Sequence, residues 1–418
     1  MNRMRTLLVF SAAITMGCGA IIGTRDVFLD ENAANGNEDG GGSSSGNGSS
    51  GNGSSSGSSG NVDGGGDATI DCTGVDVQTS KEHCGRCGHS CGGGECTAGK
   101  CQPFQISTVA SAPLVYIAAS ADHVFVSTLI TLTTQAGGLW RIPKNGGQAE
   151  LYANIRYAGN MRVVNDKIFF VVEDDPGDGG TGQTGGLYFC PLVGNAPCNP
   201  SRVVGADNPR TITLDGTDIV FTDTAIGMRK FNTVTGETTT LNDFTAGRYL
   251  YFDSKAAFYN VTIFNSQPYN ARMIEVFPDA GYEIRHDYTK NNANAGSLVG
   301  TTDAIYVAAF DYSGTTGGEV FRYPRVQGGL PCAYGGSTNK RPYGITVDAT
   351  RIWWTNMGEG AAEPYTNGSV STCELAGCCT MPETVWTGDG MPGGITSDSG
   401  FVYWVNELSG QVWKIAKP

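Results

Sequence analysis

Long apolar runs, basic excess and histidine are all scarce in this chain of 418 residues. Beyond the first residues no stretch is long and apolar enough to span a bilayer as a helix. Charged residues make up only 16% and the net charge is -13. That balance excludes a nucleic-acid binder, whose phosphate contacts demand a basic footprint. It also argues against electrostatic docking on an anionic membrane. Four histidines leave little material for acid–base catalysis or imidazole metal sites. Glycine, in contrast, is abundant at 61 residues, which suits many short strands and turns better than long helices.

The start, "MNRMRTLLVFSAAITMGCGA", carries Arg3 and Arg5, then an apolar run from Leu7 to Met16. A charged opening, a short apolar stretch and small residues describe an export signal over residues 1–17. Gly17-Cys18 resembles the lipobox of bacterial lipoproteins, although Thr15 stands where Leu is usual. The resemblance implies lipidation at Cys18, and Gly19 after it implies an outer-membrane or cell-surface lipoprotein. The other reading is an ordinary signal peptide, a secreted protein and an incidental Cys. Residues 18–71 include a Gly/Ser/Asn tract with almost nothing to bury. As a random coil it reaches roughly 30 Å, and it reads as a tether.

Six cysteines follow within residues 72–102: Cys72, Cys84, Cys87, Cys91, Cys96 and Cys101. Cys84-x-x-Cys87 with His83 and His89 could belong to a zinc site. An exported chain with an even count and no local apolar core favours a module stapled by three disulfides. The spacing in "HCGRCGHSCGGGECTAGKCQ" resembles a cysteine-rich motif of bacterial secreted surface proteins. Setting Cys18 aside leaves an even number of cysteines. Cys190 and Cys198 can close a local loop. Of the neighbours Cys378 and Cys379, one is expected to pair with Cys373 and the other with Cys332.

Residues 103–418 repeat one sentence at roughly forty to fifty residues, the period of propeller blades. "RPYGITVDATRIWWTN" from Arg341 and "MPGGITSDSGFVYWVN" from Met391 are its clearest copies. Fainter ones begin near Leu114, Asn160, Arg210, Arg248 and Ser297. Each has an apolar strand, a turn usually holding Asp, and a strand with aromatic or β-branched residues. A second phrase, such as "GGLWRIPKNGG" and "SGQVWKIAKP", supplies a third strand. The fold class expected is all-β: a seven-bladed propeller of four-stranded antiparallel blades. The last unit runs out after three strands, so "PFQISTVA" at 103–110 is expected to close the ring. An eighth degenerate blade, or six blades with an appendage, are the alternatives.

"IWWTN" and "VYWVN" resemble the Tyr-Trp-Thr-Asp repeats of lipoprotein-receptor propellers, and the whole resembles bacterial propellers of that broad kind. The resemblance implies a fold and leaves activity open, because propellers host binding scaffolds, lyases and hydrolases alike. No matching histidine pair is visible: His123 and His286 stand apart, and His83 and His89 belong to the cysteine module. "TSDSGFVYW" at Thr396 resembles an Asp-box with its aromatic displaced, and reads as a blade turn. The insertion "EDDPGDGGTGQTGG" offers Glu173, Asp174, Asp175 and Asp178 as oxygen ligands for calcium; a solvated acidic loop is the plainer reading. No other cofactor is expected. Arg210, Arg248 and Tyr343 occupy matching places just before first strands, where propeller loops converge on the channel mouth. They could hold an acidic ligand, or pair with carboxylates such as Asp174, Asp175 or Asp223. These readings lead to a surface-tethered, non-enzymatic binding lipoprotein, expected to be a monomer. Its partner would be an extracellular or envelope protein, peptide or glycan, with only a lipid anchor touching the membrane. The alternative is a secreted hydrolase or lyase with an unrecognised site in the channel.

Overall fold

A computed structural model describes residues 72–418, apart from 111–112, 129–136, 156–157, 174–183, 195, 207–208, 224, 243–248, 254–256, 264–269, 278–280, 284–289, 292, 312–316, 327–328, 336–338, 361–364 and 376–380. The ring is built of antiparallel sheets headed by the strands Leu114–Ala119, Ala158–Val164, Ile212–Asp215, Tyr249–Phe252, Ala293–Gly300, Pro342–Val347 and Pro392–Ser397. These first strands touch one another in chain order, and the last touches the first. The sheets therefore stand radially around a common axis, as expected of a propeller.

The expected set of uniform blades is corrected: the ring carries six four-stranded blades, not seven, and its remaining sheet is five-stranded. The cause is a mismatch of strand lengths. The third strand Asn270–Phe277 pairs with Gly281–Glu283 only over Glu275–Phe277, which leaves its first residues an open edge. The short strand Lys290–Asn291 covers that edge at Asn270 and Ala271. The tether expected over 18–71 and the lipid expected at Cys18 lie outside the described residues. The lipoprotein reading is set aside with them.

The repeated sentence can be followed letter by letter. In five sheets the first strand holds a two-residue bulge at one position, as between Pro342 and Ile345 and between Pro392 and Ile395. Gly394 sits in such a bulge, and a Cβ there would lie 2.7 Å from the carbonyl oxygen of Val115 on the adjacent first strand. Glycine is what lets the two backbones approach. The next Thr binds sideways around the ring: Thr346 and Ser397, on neighbouring first strands, share a hydrogen bond at 3.1 Å. The Asp then makes the turn. Asp348 Oδ1 accepts from the N–H groups of Thr350 and Arg351, and Asp398 Oδ1 from those of Gly400 and Phe401.

The aromatic pair fills two different gaps, because successive strand residues face opposite sides of a sheet. Trp354 packs with Tyr306, Val320 and Tyr334 of the preceding blade. Trp353 packs with Val402, Trp404 and Ile415 of the following one, and its indole N–H donates to Asp348 Oδ2 at 3.0 Å. Both indoles are buried. Thr355 accepts from Gly344 N–H and donates to Gly393 O on the next blade.

Neighbouring sheets are also stapled by charge. Lys144, Arg325 and Lys417 each directly follow a third strand, and each reaches the Asp of the sheet before it. Lys144 meets Asp398 at 2.5 Å, Lys417 meets Asp348 at 3.2 Å, and Arg325 meets Asp253. Backbone bonds hold all three in position, with Lys144 N–H on Asp122 O, Arg325 N–H on Asp303 O and Lys417 N–H on Gly400 O.

Phe104–Thr108 pairs with Gln411–Ala416 and supplies the last blade with its outer strand, as expected. The two ends of the repeat region thus share one sheet and close the ring. The cysteine module packs beside this seam. Its disulfides are Cys72–Cys87, Cys84–Cys96 and Cys91–Cys101, and its buried sulfurs lie against Ala416 and Phe401. Cys190–Cys198 closes a local loop. Cys332 and Cys373 are disulfide-bonded, while Cys378 and Cys379 lie outside the described residues.

Candidate functional site

Antiparallel pairing places two kinds of connection at opposite ends of the ring. The Asp turns and the connections after third strands lie at one end, where the cysteine module packs. The starts of the first strands, and the connections from second to third strands, lie at the other. That second end receives the two longest interruptions of the repeat, 173–185 and 357–367. It is the mouth at which a ligand site was expected.

The matching residues at this mouth behave differently from one another. Arg248 lies outside the described residues. Tyr343 does not precede its strand; it stands within Pro342–Val347, in the bulge. It is buried, with its ring 6.2 Å from that of Phe310. Arg210, beside the first strand Ile212–Asp215, is half-buried. Among the described residues no carboxylate or hydrogen-bond acceptor engages it. Asp223, one of the acids that could have neutralised it, pairs with Arg229 at 3.1 Å and accepts the Ala225 and Ile226 N–H groups. Of the acids weighed as partners for Arg210, Asp223 is thus engaged elsewhere, and Asp174 and Asp175 lie outside the described residues.

Sequence reading passed over Arg341. It is 3% exposed and adopts a left-handed φ of 56°. Its Nη1 donates to Gly358 O at 3.2 Å and its Nη2 to Gly360 O at 2.6 Å. The guanidinium lies 3.8 Å over the centre of the Tyr365 ring. Around it, Phe310, Tyr343, Met357 and Met391 form an apolar cluster with Tyr365 against it. Met391 repeats the left-handed conformation one blade later. Each precedes a proline, which favours extended backbone there, so the left-handed conformation was not legible in the sequence. Arg341 is thus a pinned group that shapes the mouth, whereas Arg210 has no partner among the described residues.

The acidic insertion cannot be built from its residues: Glu173 follows Lys167–Val172, and Asp174, Asp175 and Asp178 lie outside the described residues. In the cysteine module, Cys72 Sγ lies 3.3 Å from His83 Nδ1. That sulfur is bonded to Cys87 and has no thiolate to offer zinc. His89 instead bridges module and ring, with Nδ1 on Cys84 O at 2.6 Å and Nε2 on Lys417 O at 2.7 Å.

Neither a family model nor a curated protein matches the chain. The likeness to receptor-type repeats and to lipoproteins therefore shows no family. Solved structures match in fold. Selenomethionine-substituted virginiamycin B lyase from Staphylococcus aureus has a TM-score of 0.50 at 13% identity, over 76% of this chain and 99% of that one. The β-propeller domain of the trilobed protease from Pyrococcus furiosus scores 0.49 at 12% identity, over 74% and 94%. A chain of a nidogen/laminin complex scores 0.42 at 15% identity, over 68% and 98%. At these identities the likeness is one of propeller fold alone.

Proposed function

We propose that this chain is an exported, non-enzymatic binding protein. In this reading its ring mouth holds an acidic group of an extracellular or envelope protein, peptide or glycan. The observation that supports it most is Arg210, a half-buried guanidinium without a partner among the described residues. A guanidinium in that position can take a carboxylate with two parallel bonds. The second-to-third connections, rich in Gly and Thr in sequence, supply adaptable polar contacts of the kind used in binding loops. The three disulfides of the cysteine module and the Cys190–Cys198 bond favour an oxidising compartment.

The test is an array of acidic and neutral peptides and glycans probed with the full chain, Arg210→Ala and Arg210→Lys. Acidic ligands retained by the wild type should lose about ten-fold or more in affinity with Arg210→Ala. Arg210→Lys should recover only part, because an ammonium cannot make the bidentate pair. Equal retention by all three proteins rejects the mouth as the site. Conversion of a retained ligand into product would instead support the hydrolase or lyase alternative.

A further inference from the structure

A separate cavity lies at the other end of the ring, on the seam between the first and last blades. It encloses about 480 Å³, a size typical of small-molecule sites. The first blade contributes Asp122, His123, Lys144 and Asn145. The last contributes Ser399, Phe401, Tyr403 and Lys414, with Asp398 between them. None of these residues belongs to the mouth around Arg210.

Charge balance within the cavity is uneven. Asp398 is fully engaged: Oδ1 accepts two backbone N–H groups, and Oδ2 accepts the Tyr403 hydroxyl at 2.9 Å and the Lys144 ammonium at 2.5 Å. Lys144 is neutralised by that pair. Lys414 is not neutralised. It is 1% exposed, and its ammonium donates to the backbone carbonyl of Lys144 at 2.7 Å. It also lies over the rings of Phe401 and Phe104, at 4.3 and 5.1 Å. Among the described residues no carboxylate comes within ion-pair distance of it. Burial pushes its amine below the usual lysine range; nearby Asp398 opposes that shift and Lys144 adds to it. The imidazole of His123 is likewise lowered, by burial and then by Arg141.

A buried ammonium facing only a carbonyl and aromatic faces gains from any anion that reaches it. Around the same space, Asp122, Asn145 and Ser399 are exposed polar groups suited to hydroxyls. Phe401 and Pro143 supply an apolar wall. We propose that the seam cavity binds a small hydroxylated carboxylate, of the size of one acidic sugar, with its carboxylate on Lys414 and its hydroxyls on Asp122, Asn145 and Ser399. Such a ligand would touch the first and last blades and bridge the closure of the ring. The proposal stands independently of the mouth.

The experiment is calorimetric titration of the full chain with D-glucuronate, beside D-glucose, acetate and sulfate. Glucuronate should bind about ten-fold tighter than each comparator. Lys414→Met, which keeps the side-chain length and removes the charge, should weaken glucuronate by a similar factor. Asn145 is exposed, so Asn145→Ala tests the site whether or not the Lys414 variant folds. It should weaken glucuronate several-fold while leaving acetate unchanged. Glucuronate no tighter than acetate or sulfate overturns the proposal, as does an absence of heat up to millimolar ligand. Unaltered glucuronate binding in both variants overturns it as well.

Discussion

Asp398 and Asp348 each perform two tasks with one carboxylate. One oxygen fixes the turn between first and second strands; the other holds an aromatic side chain and a cation from the neighbouring sheet. Burial alone would raise both acids. For Asp398 that effect is outweighed by the Lys144 pair, the Gly400 N–H and the Tyr403 hydroxyl, so its carboxyl lies below the usual range. For Asp348 the opposing causes are Lys417, the Thr350 and Arg351 N–H groups and the Trp353 indole. A carboxyl depressed in the folded state contributes stability above its unfolded pKa. That contribution is lost as pH falls through the folded value. The ring should therefore weaken on acidification below about pH 4. Asp398→Asn should cost about 1–3 kcal/mol at pH 7 and much less near pH 2. Urea denaturation of both proteins at the two pH values checks this. Coincident midpoints at pH 7 would show that the staple contributes nothing to stability.

At the scale of elements, the seam strand carries the heaviest demand. Phe104–Thr108 meets its partner strand across nearly the whole sequence of the ring. Ile106 enters the core shared by the first and last blades. Ile106→Ala should cost about 2–5 kcal/mol, whereas Leu408→Ala, at a site 41% exposed, should change stability by less than about 0.5 kcal/mol. Equal urea midpoints for the two variants would mean that the seam does not limit stability. This strand was legible in the sequence because a repeat cut short demands a donor. The turn Asp and the aromatic pair were legible too, since they are local and recur in register. The fifth strand at Lys290–Asn291 was not legible, because it answers a difference in length between two other strands. The cations were missed for a related reason. Lys144, Arg325 and Lys417 occupy matching places, but each acts on a turn in another repeat, and proximity in sequence says nothing of that. At the mouth, Arg210 was marked out by position, whereas the pairing of Asp223 with Arg229 was not legible.

For the whole molecule, the question is whether module and ring act as one body. Several contacts join them: His89 to Lys417 O, Lys100 to Glu383 at 2.6 Å, and the buried sulfurs against Ala416 and Phe401. The approach is closest at Gly92, whose φ is 57° and where any Cβ would collide with the Phe401 ring. Gly92→Val therefore offends twice, by backbone strain and by contact. The module's three disulfides constrain its own unfolded chain, so it should stay folded when pushed off. The ring, closed by its own strands, should also survive. The expected result is an intact disulfide mass, faster amide exchange over Lys414–Pro418, and new proteolytic cleavage between Cys101 and Phe104. The seam cavity should respond as well, since Lys414 Nζ lies close to Gly92. If exchange and cleavage match the wild type, the module is tethered beside the ring without bracing it, and the seam must hold through strand pairing alone.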